Sequence, residues 1–194
     1  LNINNAQALG TSAGTFTIAG GTIDNTSAGD ITTVNHPIAW NADLTYVGSV
    51  PRNLNLGAGN ITMNANRQVT VSAGTLTLGG AVQAGAYAIT KAGAGTLVLS
   101  GANLHTAGVQ LNAGTVRLGS ATALGPAANA TVTFGAASSG TLQLYGYSPT
   151  IVGLTGDSTA IIEDGAAGTH TLTVNNASGN TFAGVIQNGA AGTL

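Results

Sequence analysis

Gly93-Ala94-Gly95-Thr96-Leu97-Val98-Leu99-Ser100-Gly101-Ala102-Asn103, continued by Leu111-Asn112-Ala113-Gly114-Thr115-Val116-Arg117-Leu118-Gly119, is the stretch that decides the fold of this chain. Each part carries a Gly-Thr step, an apolar residue, and then alternation with period two. The phrase recurs as Gly14-Thr15-Phe16, Gly21-Thr22-Ile23, Gly74-Thr75-Leu76, Gly140-Thr141-Leu142 and Gly192-Thr193-Leu194. From Gly74 through Gly95 and Gly114 to Gly140 the starts lie 21, 19 and 26 residues apart. A period of this size marks a solenoid in which each repeat is one coil.

Outside these phrases, strand signals dominate as well. Val109-Gln110-Leu111, Thr131-Val132-Thr133-Phe134 and Thr171-Leu172-Thr173-Val174 alternate, as half-buried strands do. Gly79-Gly80 and Ser100-Gly101-Ala102-Asn103 read as turns, because Gly and Asn tolerate the backbone of tight corners. Several short strands at regular spacing fit a β-helix, a sandwich or a barrel. Repeats that match at equivalent positions, and small uniform core residues, favour the β-helix. The expectation is therefore an all-β chain folded as a right-handed parallel β-helix, with residues 1–194 forming a single segment.

Composition narrows the function. Only 5% of residues are charged, against about a quarter in a typical domain, while 43% are apolar and 4% aromatic. A core is affordable, but it is built from Leu, Val, Ile and Ala. The basic residues Arg52, Arg67, Lys91 and Arg117 are scattered, and the net charge is −2. Nucleic-acid binding needs clustered cations to neutralise phosphates, so no nucleic-acid partner is expected. No run approaches the length of apolar residues that spans a bilayer as a helix. Leu1-Asn2-Ile3-Asn4 has neither a charged nor an apolar leader character, so any export signal is expected outside these residues. The absence of cysteine is consistent with passage through a periplasm, where a premature disulfide would block an unfolded chain.

The stretch 93–119 resembles the passenger-associated transport repeat, also called the autotransporter-associated β-strand repeat, of bacterial type V autotransporter passengers. The usual phrase runs Gly-x-Gly-Thr-Leu-x-Leu-x-Gly-x-Asn-Thr-Tyr-Thr-Gly-Gly-Thr, then Ala-Gly-Thr-Leu-x-Leu-Gly. Gly93, Gly95, Thr96, Leu97, Leu99, Gly101, Asn103, Gly114, Thr115, Leu118 and Gly119 carry it here. The middle departs, with Leu104-His105-Thr106-Ala107-Gly108-Val109-Gln110 in place of Thr-Tyr-Thr-Gly-Gly-Thr-Thr. A truncated second copy is expected from Gly189, and Gly10 to Asn25 resembles the region that accompanies such repeats. Ala8-Leu9-Gly10 returns as Ala123-Leu124-Gly125. The chain thus reads as a fragment of a longer repeat array without capping coils. The resemblance implies a secreted or cell-surface stalk segment that promotes export across the outer membrane by coil-by-coil folding. Its implied partners are the rest of the parent passenger and its outer-membrane translocator. The alternatives are an adhesin with a host or glycan ligand, or an extracellular filament formed by end-to-end stacking into a homo-oligomer.

No catalytic, metal or cofactor site is expected. A β-helix carbohydrate-active enzyme would need a carboxylate pair or a Ca²⁺ cage. Glu163-Asp164, with Asp157 and His170 nearby in sequence, is the one local cluster, and it reads as turn caps. His36, His105 and His170 have no metal-ligand spacing and read as turn or surface residues. Trp40 reads as core or edge cover. Asn60, Asn103, Asn175 and Asn180 are candidates for a stacked amide ladder.

Overall fold

The computed structural model describes residues 1–49, 52–176 and 179–194. All regular structure among them is strand, and every strand pairing is parallel. The chain winds as a β-solenoid of about nine turns, so the expected β-helix is what forms. Parallel pairing through consecutive coils follows from the sequence. Each Gly- or Asn-rich corner turns the chain and lets the next alternating run lie on the one before it.

Three faces run along the solenoid. On the first, Thr22–Asn25, Leu44–Tyr46, Arg67–Val71 and Ile89–Ala92 stack in order. The stack continues into the first parts of Val109–Leu118 and Thr131–Gln143, and then into Gly153–Thr155. The second face stacks Ile31–Thr32, Leu54–Asn55, Thr75–Leu78 and Thr96–Leu99. The second parts of the two long strands, Ile161–Glu163 and Val185–Gln187, complete it. The third is shorter, with Phe16–Ile18, Ile38–Trp40 and Ile61–Met63. Single bridges at Val82 and His105 prolong it.

The core is a set of columns of like residues. Leu54, Leu76, Leu97, Val116, Leu142 and Ile162 lie one above another on the second face and are all buried. Each such side chain contributes about 2 kcal/mol by leaving water. Thr75, Thr96, Thr115 and Thr141 form a parallel row between them. The Gly-Thr phrases at 74, 95, 114 and 140 are therefore in register, as their spacing predicts.

The other copies of the phrase use different faces. Thr22-Ile23 opens a first-face strand, Phe16 opens a third-face strand, and Gly192–Thr193 pairs with Gly168–Thr169 on a separate short sheet. The phrase encodes a corner followed by an inward apolar residue, and any corner of the coil can use it. Ala8-Leu9-Gly10 and Ala123-Leu124-Gly125 adopt the same turn. Gly10 N–H donates to Gln7 O at 2.8 Å, Gly125 N–H donates to Thr122 O at 3.0 Å, and both glycines have positive φ.

Candidate functional site

The repeat residues meet at the contacts between one coil and the next. Leu97, Leu99 and Leu118 point into the core and are fully buried, while Thr96 and Thr115 alternate with them on the partly exposed side. Gly93 stands at the corner with φ +78°, and a Cβ there would lie 2.4 Å from Val71 O of the preceding coil. Gly101 does the same at the opposite end of the strand, where a Cβ would come 2.2 Å from Gly80 O. Gly95 and Gly119 also approach the preceding coil closely. The glycines of the motif thus set how closely coils can stack.

Asn103 is the polar residue at the centre of this arrangement. It is 1% exposed. Its Oδ1 accepts from Val82 N–H at 2.8 Å in the coil before, and its Nδ2 donates to Ala123 O at 2.7 Å in the coil after. One side chain thereby satisfies buried backbone groups on both neighbouring coils, which otherwise would be costly to leave unpaired. The amide ladder expected from Asn60, Asn103, Asn175 and Asn180 does not form among the described residues, where no hydrogen bond joins any two of them. Asn103 bonds to backbone, and Asn180 accepts from Thr155 Oγ1 at 3.3 Å. Asn60 and Asn103 both lie beside the third face, but Asn60 is exposed and Asn103 is buried, so their amides do not meet.

An outward ladder does exist on the second face, from different residue types. Arg117, Gln143, Glu163 and Gln187 are in register on successive coils. Arg117 Nε donates to Gln143 Oε1 at 2.6 Å, Gln143 Nε2 to Glu163 Oε1 at 2.9 Å, and Gln187 Nε2 to Glu163 Oε2 at 3.4 Å. The Arg117 guanidinium also lies 4.3 Å from the centre of the Tyr145 ring, a cation–π contact. Sequence reading missed this row because its members differ, and only the register unites them.

The carboxylates once grouped in sequence are dispersed by the fold. Both oxygens of Glu163 are engaged in the ladder, and Asp157 holds the turn at Thr159 and the Ala137 amide. Those hydrogen bonds keep the Asp157 carboxyl below its ordinary range. Asp164 points the other way and is fully buried. Its Oδ2 meets His170 Nδ1 at 2.6 Å, and its Oδ1 accepts from Gly146 N–H at 3.1 Å. Burial works against its charge, but the bonds from His170, Gly146 and Ala166 outweigh that and hold its pKa down. Among the described residues no three His, Asp or Glu side chains converge as metal ligands. These groups cap and tie corners.

Two histidines depart from the surface reading. His36 and His105 are buried, and only His170 lies at a partly exposed corner. His36 Nδ1 lies 3.1 Å from Gly14 O. Neither ring nitrogen of His105 makes a well-formed hydrogen bond, and burial lowers its pKa to about 4 against the opposing effect of a contact with the Gly108 backbone. It occupies the position that the family phrase gives to Tyr, and the alternation with exposed Leu104 turns it inward. Trp40 is a core residue, 1% exposed.

Stacked parallel coils with corner glycines, columns of aliphatic residues and an Asn that spans three coils define a structural solenoid segment. Residues 89–118 match the family passenger-associated-transport-repeat, and the chain carries that repeat. The chain is also similar to the "Adhesin BmaC autotransporter" of Brucella suis biovar 1 (strain 1330), at 35% identity over 195 residues. That match takes in 94% of this chain and about 5% of the relative's length. No solved structure gives a significant match. The segment thus carries an autotransporter passenger repeat on a parallel β-solenoid, which points to the cell surface or the exterior of the cell.

Proposed function

We propose that this segment is a non-catalytic stalk whose coil-by-coil folding promotes export of a parent passenger across the outer membrane. The observation that carries this reading is the register of the second face. There the four Gly-Thr phrases from Gly74 to Gly140 stack residue on residue, so each coil is a template for the next. A chain emerging unfolded from a translocator gains burial with every coil added, at roughly 25 cal/mol per Å² of apolar surface. That gain opposes backsliding. Sparse charge supports the same reading, because neutral coils stack without repulsion.

The share of the relative that this chain spans supports placing it within a longer array. The partners in this reading are the remaining coils of the parent and its outer-membrane translocator. In a full-length parent, Leu97→Asp combined with Val116→Asp would interrupt the aliphatic column. Surface appearance, followed by protease accessibility on intact cells, is expected to slow. An unchanged rate refutes the reading.

A second reading is adhesive. The relative's name includes adhesin, and the Thr and polar rows of the second face are available for host protein or glycan. Binding of the isolated segment on a glycan array or in a pull-down favours it, and silence in both argues for a stalk.

A further inference from the structure

The one lysine of this chain, Lys91, does not behave as a surface cation. It stands on the first face in a column with Leu44, Val69, Leu111 and Phe134, and it is fully buried. Its ammonium donates to Ala92 O at 2.8 Å and to Gly93 O at 2.6 Å in its own corner. The third bond goes to Ala113 O at 3.2 Å, in the corner of the next coil. An ammonium has three hydrogens and no acceptor, so three carbonyls saturate it. Burial alone shifts its pKa, down to about 8, and no carboxylate offsets that.

The facing corner is shaped to admit this group. Gly114 has φ +68°, and a Cβ there would sit 2.8 Å from Lys91 Nζ, 2.3 Å from Gly93 O and 2.5 Å from Gly95 O. The next coil can close onto the ammonium only because residue 114 has no side chain. The column positions above and below, Val69 and Leu111, are apolar and cannot make this connection. The pin therefore belongs to one coil, and that coil opens the stretch 89–118 that matches the family repeat.

We infer that Lys91 is a positioning residue that pins the coil carrying Thr115–Leu118 onto the coil carrying Thr96–Leu99, by joining their two corners through its ammonium. Before the second coil docks, the ammonium is held by its own corner and by water. On docking, water leaves and Ala113 O takes the last hydrogen. A buried ammonium short of a partner is expensive, so the corner accepts a coil whose carbonyl is correctly placed and rejects one that is shifted. This deepens the coil-by-coil reading proposed above, but it is a property of the chain alone and can be tested without a translocator.

Pulsed hydrogen exchange during refolding of the chain reads it directly. Lys91→Met keeps the apolar stem and removes the pin. Protection of residues 109–118 is expected to develop about tenfold more slowly, with residues 67–78 unchanged. Gly114→Ala is no substitute, because its Cβ would also meet Gly93 O at 2.3 Å and Gly95 O at 2.5 Å. Uniform slowing of all segments, or no slowing in Lys91→Met, overturns the inference. If Lys91→Met fails to fold, acetylation of the native chain decides. The Lys91 amine should react at least about 100-fold more slowly in the folded chain than in the same chain unfolded in urea, and comparable rates overturn the inference. Loss of surface display in the parent with normal refolding here would instead point back to the export reading.

Discussion

Replacing Asn103 by Ala tests the reasoning about the coil interface most sharply. The substitution orphans two buried backbone groups, Val82 N–H and Ala123 C=O, which Asn103 now pairs at 2.8 and 2.7 Å. Each orphaned buried group costs about 1–3 kcal/mol, so a loss of about 2–6 kcal/mol is expected, with a small cavity added. Because stability in a solenoid is shared between neighbouring coils, weakening one contact also weakens cooperativity between the two sides. Urea unfolding followed by Trp40 fluorescence reports coils before the substitution, while far-UV circular dichroism reports all of them. The wild-type midpoints should coincide, and those of Asn103→Ala should fall and separate. Asn103→Asp adds a control of sign. It keeps an acceptor for Val82 N–H but turns a carboxylate towards Ala123 O, so it should be weaker than Asn103→Ala at neutral pH and recover partly in acid, where a protonated oxygen can donate. A loss below about 0.5 kcal/mol for Asn103→Ala, with coincident transitions, would refute the claim that this side chain ties three coils.

Further predictions concern the buried histidine and the coil register. The folded pKa of His105, about 4, lies below its ordinary value of 6.5. The unfolded chain therefore binds the proton first, and stability present above about pH 6.5 is lost as pH falls towards 4, by up to about 3 kcal/mol. His105→Phe should remove that acid-sensitive part of the wild-type profile, and parallel profiles for the two proteins would refute it. Deleting Thr96 to Gly114 joins Gly95 to Thr115, which are corner and strand start of successive coils in register. The product should fold as a rod one coil shorter, by about 4.8 Å, with strand content by circular dichroism retained. Deleting only Thr96 to His105 breaks the register and should abolish folding. Equal folding of both deletions would show that register does not govern assembly.

The sequence by itself determined the fold class and the coil spacing. Period-two alternation and turn-forming corners recur at a fixed interval, and a repeated local pattern stacks on itself whatever lies at a distance. It also marked the glycines at 93, 95, 101, 114 and 119, since corners in contact with the preceding coil leave no space for a side chain. What lies inside a corner was decided only in three dimensions. Alternation assigns residues to two sides but does not say which side is inward, and polar residues blur it. Continuing the alternation from Ile89 places Lys91 inside, yet a lysine read alone is a surface residue. Nothing in the residue types reveals that the carbonyls of Ala92, Gly93 and Ala113 converge to receive it. The same holds for His105, turned inward by Leu104, and for the ladder from Arg117 to Gln187, whose members share no motif. Those contacts join residues about one coil apart, and only the stacking of corners brings their atoms within hydrogen-bonding distance.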